Sequence, residues 1–295
     1  MLARIQQLLV TGFVLALVAC VALLWQHGPA AVVLGLMAVT GVIPAVLALE
    51  FLLAERVNRT DPVPRASGLT WLRAWWSEAG TTPQIFGWRQ PFRSGSVPDF
   101  LPDNDLRGVV FVHGFFCNRG FWNPWMTLLR GEDRAFVAVD LEPVFGAIDA
   151  YAAIIDAAVA RVTQATGLPP VLVCHSMGGL AARAWLRSGN HGPRVSRVVT
   201  IGTPHHGTWL ARFSHVRNGR QMQRHSAWTR ELAAGQRAED AKLFTCWYSN
   251  CDNIVFPAST AMLEGADNRL VNGVPHVALG FYPEVVQRTL ELVRR

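Results

Sequence analysis

Residues 171–179 read Val-Leu-Val-Cys-His-Ser-Met-Gly-Gly, and the fold turns on them. Val171 to Cys174 is a short apolar, β-branched run, which predicts a buried strand. Met177 to Arg187, with Ala181, Ala182 and Ala184 on good helix-forming ground, predicts a helix. Ser176 stands at the junction. A strand that turns straight into a helix leaves no space beside the turn, so the residues two before and two after the serine must be small. Gly178 meets that demand and Cys174 is a tolerable substitute. The alternative is a serine that merely caps the helix.

Outward from this junction the same alternation repeats. Gly108–His113 (GVVFVH), Arg134–Leu141, Val195–Ile201, Leu243–Ser249 and Leu270–Val271 are apolar runs of strand type. Between and after them lie helical patterns, Ala147–Thr166 stopped by Gly167 and its following prolines, and Glu284–Arg294. Strands alternating with helices predict an α/β fold with a mostly parallel sheet covered on both faces, and sites in such folds lie at the carboxyl ends of the strands.

The spacing around Ser176 resembles the G-x-S-x-G nucleophile elbow, with Cys174 at the first glycine. A serine hydroxyl needs a base, and the base an orienting acid. Asp252 follows the run ending at Ser249, and His276 lies in the loop before the last helix, so Ser176, Asp252 and His276 stand in the order serine, acid, base. Asp240 precedes its strand, and Glu264 and Asp267 fall by the intervening segment, so they read as surface carboxylates. His276 is the only histidine after His225. The loop after the first strand and the residue after the serine would offer the backbone N–H groups of Phe115 and Met177 to an oxyanion. His113 reads as a residue that shapes that loop.

Five stretches in order, VHGF, HSMGG, IGTPHHGT, YSNCDNIV and NGVPHVALGF, resemble the compact bacterial triacylglycerol lipases of the class 2 type, within the α/β-hydrolase superfamily. The resemblance spans Gly108 to Arg295. It implies ester hydrolysis without an organic cofactor, Asp252 as the acid, and a structural role for the GTPHHG turn. Such lipases are usually secreted, and here the sequence departs from them.

Leu8–Trp25 and Ala30–Ala54 are apolar apart from Glu50, and each is close to the roughly 20 residues that cross a bilayer core. Gln26-His27-Gly28-Pro29 breaks them. A transmembrane hairpin is expected, Glu50 lying near the end of its span, where it reaches the interface. Competing readings are a lipobox at Leu17-Val18-Ala19-Cys20 and a pair of buried core helices. Arg4 precedes the first span and Arg56, Arg59 and Arg65 follow the second, whereas the connector has neither lysine nor arginine. That pattern places both ends, and the catalytic domain, on the cytoplasmic side of a bacterial inner membrane as a multi-pass protein. The expected organisation is a hairpin anchor over 1–57, a linker and tryptophan-rich juxtamembrane segment over 58–105 (Trp71, Trp75 and Trp76 at helical spacing), and a catalytic domain over 106–295. Within it, 208–241 holds Arg212, Arg217, Arg220 and Arg224 among Trp209, Phe213 and Trp228, which suits a lid or equally a solvated helical excursion.

The 295 residues are 51% hydrophobic and carry a net charge of +6, with a mean hydropathy of +0.21. The cations are scattered arginines with Lys242 the one lysine, so nucleic acid is not an expected partner. The five cysteines show no disulfide framework, although Cys246 and Cys251 would be free to pair in an exported domain. His205, His206, His215 and His225 form no ligand signature, and neither a metal nor an organic cofactor is expected. The expected partners are a membrane and a lipid or other ester. The expected function is a membrane-anchored serine hydrolase of carboxylic esters. An acyltransferase or thioesterase with the same acyl-enzyme, and a non-catalytic scaffold on this fold, are the alternatives.

Overall fold

Two long apolar helices come first in the computed structural model, which describes residues 1–295. They are α1, Leu2–Leu24, and α2, Pro29–Asn58, joined by a single 3-10 turn at Trp25–His27. Gly35 lets them approach, since a Cβ there would fall 2.3 Å from Leu24 Cδ1 and 2.5 Å from Cys20 Sγ. Their most apolar windows have mean hydropathies of 2.7 and 2.5 and are almost wholly unburied. That separates them from the core helices of a soluble protein, which hide such surface. The five cysteines are all free thiols.

The ends of the pair remote from the turn are docked on the rest of the chain. Met1, which caps α1, reaches Glu142, and Gln6 and Gln7 within it reach Phe116 and Pro91, while Asn58 Oδ1 at the end of α2 accepts from Ala258 N–H at 2.9 Å. Helix α3, Gly68–Thr82, begins at Ser67, whose hydroxyl accepts from Thr70 N–H. Trp71 and Trp75 pack with Phe51, Ala74 and Cys251 rather than standing free, and Trp75 Nε1 donates to Pro44 O in the middle of α2. A π-helical turn, Pro83–Arg89, leads into α4, Gln90–Arg93.

Strands β1 (Val109–Val112), β2 (Phe136–Ala138), β3 (Val171–His175), β4 (Arg197–Ile201), β5 (Phe244–Ser249) and β6 (Asp267–Val271) form one sheet. Its order is β2-β1-β3-β4-β5-β6 and every neighbour is parallel. The inner strands β1 and β3 read as unbroken apolar runs because both faces are covered. Val110, Val112, Leu172, Cys174 and Val198 face one core with helices α6 (Ala152–Thr166) and α7 (Met177–Arg187). Val109, Phe111, Val171, Val173 and Val199 face the other, with α5 (Asn123–Gly131) and the last helix, Pro283–Arg294. Full burial of each such branched side chain stabilises by roughly 1.5–3 kcal/mol.

Several boundaries depart from the sequence reading, and β2 is Phe136–Ala138 rather than Arg134–Leu141. The first turn of the expected helix Ala147–Thr166 is 3-10, Ile148–Tyr151, before α6 proper. That helix does stop at Gly167, which takes φ +67° while its N–H closes on Thr163 O. β6 begins at Asp267 instead of Leu270, because an edge strand is only half buried and tolerates polar residues. The other edge is covered from outside the expected domain, Phe100 and Phe136 exchanging both backbone hydrogen bonds at 3.1 and 2.7 Å.

The segment 208–241 folds into a 3-10 turn, Leu210–Phe213, and short helices α8 (Arg217–Gln221), α9 (Ala227–Ala234) and α10 (Ala238–Ala241). Ala211, Met222 and Leu232 are buried against the α6/α7 core, and Asn218 Nδ2 donates to Val144 O at 2.8 Å. Helices α11, His276–Leu279, and α12, Pro283–Arg294, end the chain.

Candidate active site

Ser176 has φ +53° and ψ −128°, a conformation that costs a non-glycine residue on the order of 1–3 kcal/mol. Its backbone is held by Ser176 N–H donating to Ile201 O at 2.9 Å and by Thr203 Oγ1 donating to Ser176 O at 2.8 Å. The crowding inferred from the sequence is visible: a Cβ on Gly178 would lie 2.4 Å from Val112 O and 2.7 Å from His113 O, and one on Gly114 would lie 2.8 Å from Ser176 Cβ. Cys174 is fully buried beside Val112, and burial pushes its thiol far up, so it is inert filling. Gly178→Ala should therefore lower stability by roughly 1–3 kcal/mol, since both obstructing atoms are backbone. A thermal unfolding midpoint equal to wild type would show that the junction has more slack than this geometry allows.

Asp252 and His276 meet. His276 Nδ1 lies 2.8 Å from Asp252 Oδ2, and Asp252 Oδ1 accepts from Ile254 N–H at 2.8 Å and Val255 N–H at 2.7 Å. Gly202, with φ +58°, follows β4 directly beside them, and a side chain there would press on both. His276 is set against the residue next to Ser176: His175 Nε2 donates to His276 O at 3.1 Å, and the two rings lie 4.7 Å apart. No hydrogen bond joins Ser176 Oγ to the imidazole. Bonds of this kind commonly tighten only when substrate is bound. With Nδ1 engaged by a carboxylate, Nε2 is the nitrogen left to act as a base.

Burial would push the His276 imidazole down, but the Asp252 carboxylate, and behind it Glu78 and Glu50, outweigh burial and hold it above its ordinary value. His175 goes the other way, driven well down by burial and by the neighbouring His276. The two rings thus differ: His276 is the more readily protonated, and His175 is neutral packing.

Met177 is the first residue of α7, so its N–H is an orphan donor of that helix. Phe115 N–H makes no backbone hydrogen bond. His113 shapes the loop between β1 and Phe115. Its Nε2 accepts from Leu141 N–H at 3.0 Å, which leaves Nδ1–H to donate to Gly114 O at 2.9 Å. Phe115, Phe116 and Phe145 pack into an aromatic lip at this loop, with Phe145 exposed.

The other carboxylates lie elsewhere. Asp240 is paired with Arg237 and Asp267 with Arg269, and Glu264 is exposed. His205 is buried, its Nε2 3.1 Å from Thr200 Oγ1 and its carbonyl bound by Arg183. The sequence reading missed three residues at the site. Glu78 is buried and accepts from Val277 N–H at 2.8 Å and Ala278 N–H at 3.2 Å. Asn253 Oδ1 accepts from His276 N–H at 3.2 Å, and its amide donates to Glu50 Oε2 at 2.8 Å. Glu50, expected at the membrane interface, thus turns inward to the site. A glutamate among the tryptophans of an amphipathic helix was the only available signal for Glu78.

The model of the alpha/beta hydrolase family matches residues 109–288. No curated protein matches the chain. Among solved structures the chain is similar to the Bacillus licheniformis lipase BlEst2 in its mature form, with 19% identity and a TM-score of 0.58, covering 67% of this chain and 96% of that one. It is also similar to Aspergillus fumigatus lipase B, with 18% identity and a TM-score of 0.54, covering 61% of this chain and 51% of that one. At such identities the likeness is one of fold.

Proposed function

We propose that this chain, which belongs to the alpha/beta hydrolase family, is a serine hydrolase that cleaves carboxylic esters while held at a membrane by α1 and α2. The observation that carries the reading is the buried Asp252–His276 contact beside a strained Ser176. In this reading Ser176 Oγ attacks the acyl carbonyl and His276 takes the hydroxyl proton. The oxyanion is met by the N–H groups of Phe115 and Met177, each such donor contributing about 2.7–4 kcal/mol of transition-state stabilisation. His276 then gives its proton to the departing alcohol. Water, deprotonated by the same imidazole, releases the acid from Ser176.

The aromatic lip and the unburied apolar helices beside it favour lipid-like esters of the lipase or esterase kind. The proposed organisation is a membrane hairpin over 1–57, a juxtamembrane segment over 58–105 and a catalytic domain over 106–295. Arginines at both ends of the hairpin favour the cytoplasmic side for that domain. A reporter fused after Arg295 and active only outside the cytoplasm should stay silent.

The test is fluorophosphonate labelling of the membrane and soluble fractions of lysed cells, followed by mapping of the adduct. Labelling at Ser176 in the membrane fraction is the expected result. Folded protein that takes no label, or carries it elsewhere, would remove Ser176 as nucleophile. Label confined to the soluble fraction would remove the anchor.

A further inference from the structure

We propose that Glu50 of α2 and Glu78 of α3 are positioning residues for His276, so that the N-terminal helices build part of the acid–base apparatus as well as holding the protein to its membrane. This rests on the reading of His276 as the base.

The geometry begins with α11, a single turn that starts at His276 itself. The first N–H groups of a helix have no partner within it and must find one outside. Here His276 N–H goes to Asn253 Oδ1, and Val277 and Ala278 N–H go to the two oxygens of Glu78. Leu279 N–H is the first to find a carbonyl of its own turn, on Pro275 at 2.9 Å. Asn253 is in turn fixed by Glu50 Oε2. The backbone that aims the imidazole is therefore gripped by two side chains, one belonging to α3 and the other tied to α2. Helix α1 reaches the loop on the other side of Ser176: Gln6 donates to Phe116 O at 3.2 Å and accepts from Asn118 Nδ2 at 3.2 Å, beside the residue Phe115.

Charge adds to position. The groups that face His276 are Asp252 after β5, Glu78 from α3, Glu50 from α2 and the neutral His175 of β3, so three carboxylates and no cation surround the ring. An imidazolium formed during attack is favoured by each of them. Burial lifts the Glu78 carboxyl to about 7 against the lowering effect of its two N–H partners and of His276. A buried carboxylate with that much desolvation is an expensive way to cap one turn, and a neutral side chain would serve a purely structural need.

The experiment is Glu50→Gln and Glu78→Gln in the full-length protein in detergent, read in two ways. In the pH profile of kcat/KM the acid limb reports the base, which must be neutral to act. Removing a negative charge makes the imidazole easier to deprotonate, so the acid limb should move to lower pH; because Glu78 is itself half protonated near pH 7, its glutamine variant should move the limb by the part of its charge still present there. In Glu78→Gln, where the amide NH2 must face one of the two N–H donors, kcat should fall on the order of 10- to 100-fold, as for a displaced catalytic group, with KM little changed, and in Glu50→Gln it should fall by less. The second reading is the imidazole titration of His276 by histidine-labelled NMR, which needs no turnover and should move in the same direction. Should Glu78→Gln fail to fold, Glu50→Gln suffices, since glutamine still accepts from Asn253 and alters only the charge. Variants whose titration and kcat both overlay wild type would overturn the proposal. Wild type that takes no fluorophosphonate, yet shows the NMR shift in the variants, would sink the nucleophile reading and leave the coupling of the carboxylates to His276 standing.

Discussion

Ser176→Ala is expected to lower kcat for ester hydrolysis by about 10⁶-fold while leaving the protein folded. The hydroxyl oxygen is the atom that would form the acyl-enzyme, and no neighbouring group replaces it: Cys174 is buried inert, and Thr203 Oγ1 is committed to the carbonyl of residue 176. The fold should not notice the change. The bonds that hold the turn, from residue 176 N–H to Ile201 O and from Thr203 Oγ1, involve only backbone at this position. Alanine also bears the same positive φ at similar cost to serine. A residual rate of roughly 10³–10⁴ over water should survive from the N–H groups of Phe115 and Met177. Residues that act as one unit lose their effects together, so adding His276→Ala to Ser176→Ala should cost little more. Measured kcat and melting temperature decide the matter. A variant retaining a tenth of the wild-type rate would mean that acyl transfer to Ser176 is not the route.

The sheet and the order of chemistry along it are legible because each rests on local rules. Val171–His175 to Met177–Arg187 is a strand and a helix with one residue between them, and that crowding dictates the small residues on either side. The contact of Asp252 with His276 follows from two loops at the carboxyl ends of β5 and β6, which are parallel neighbours. What the sequence leaves dark are contacts between remote segments with no local signature. Glu78 and Val277 are 199 residues apart, and Glu50 and Asn253 are 203 apart. Hydropathy reads α2 as one apolar span from Ala30 to Ala54, and so assigns Glu50 near its end to an interface rather than to a partner. The same blindness affects Phe100, whose pairing with β2 depends on an exposed sheet edge that exists only after the sheet has formed.

Asp252→Asn should cost about 10⁴-fold in kcat with KM and stability little altered, and the reason lies in how the carboxylate is tied down. Asp252 Oδ1 accepts from the N–H groups of Ile254 and Val255. In the asparagine variant only the carbonyl oxygen can face those two donors, because an amide NH2 there would set donor against donor. The NH2 group is then forced toward His276 Nδ1, which must accept, and the ring proton moves to Nε2. An imidazole with Nε2–H is the wrong tautomer to take a proton from Ser176. The ring stays in place, but its chemistry is reversed. Asp252→Ala is the poorer test, since it strands two buried N–H groups at roughly 1–3 kcal/mol each and confuses instability with catalysis. If Asp252→Asn keeps more than about a tenth of the activity, Asp252 is not the orienting acid. Glu78 and Glu50 are the remaining carboxylates close enough to act on His276, and the loss should then appear in their glutamine variants instead.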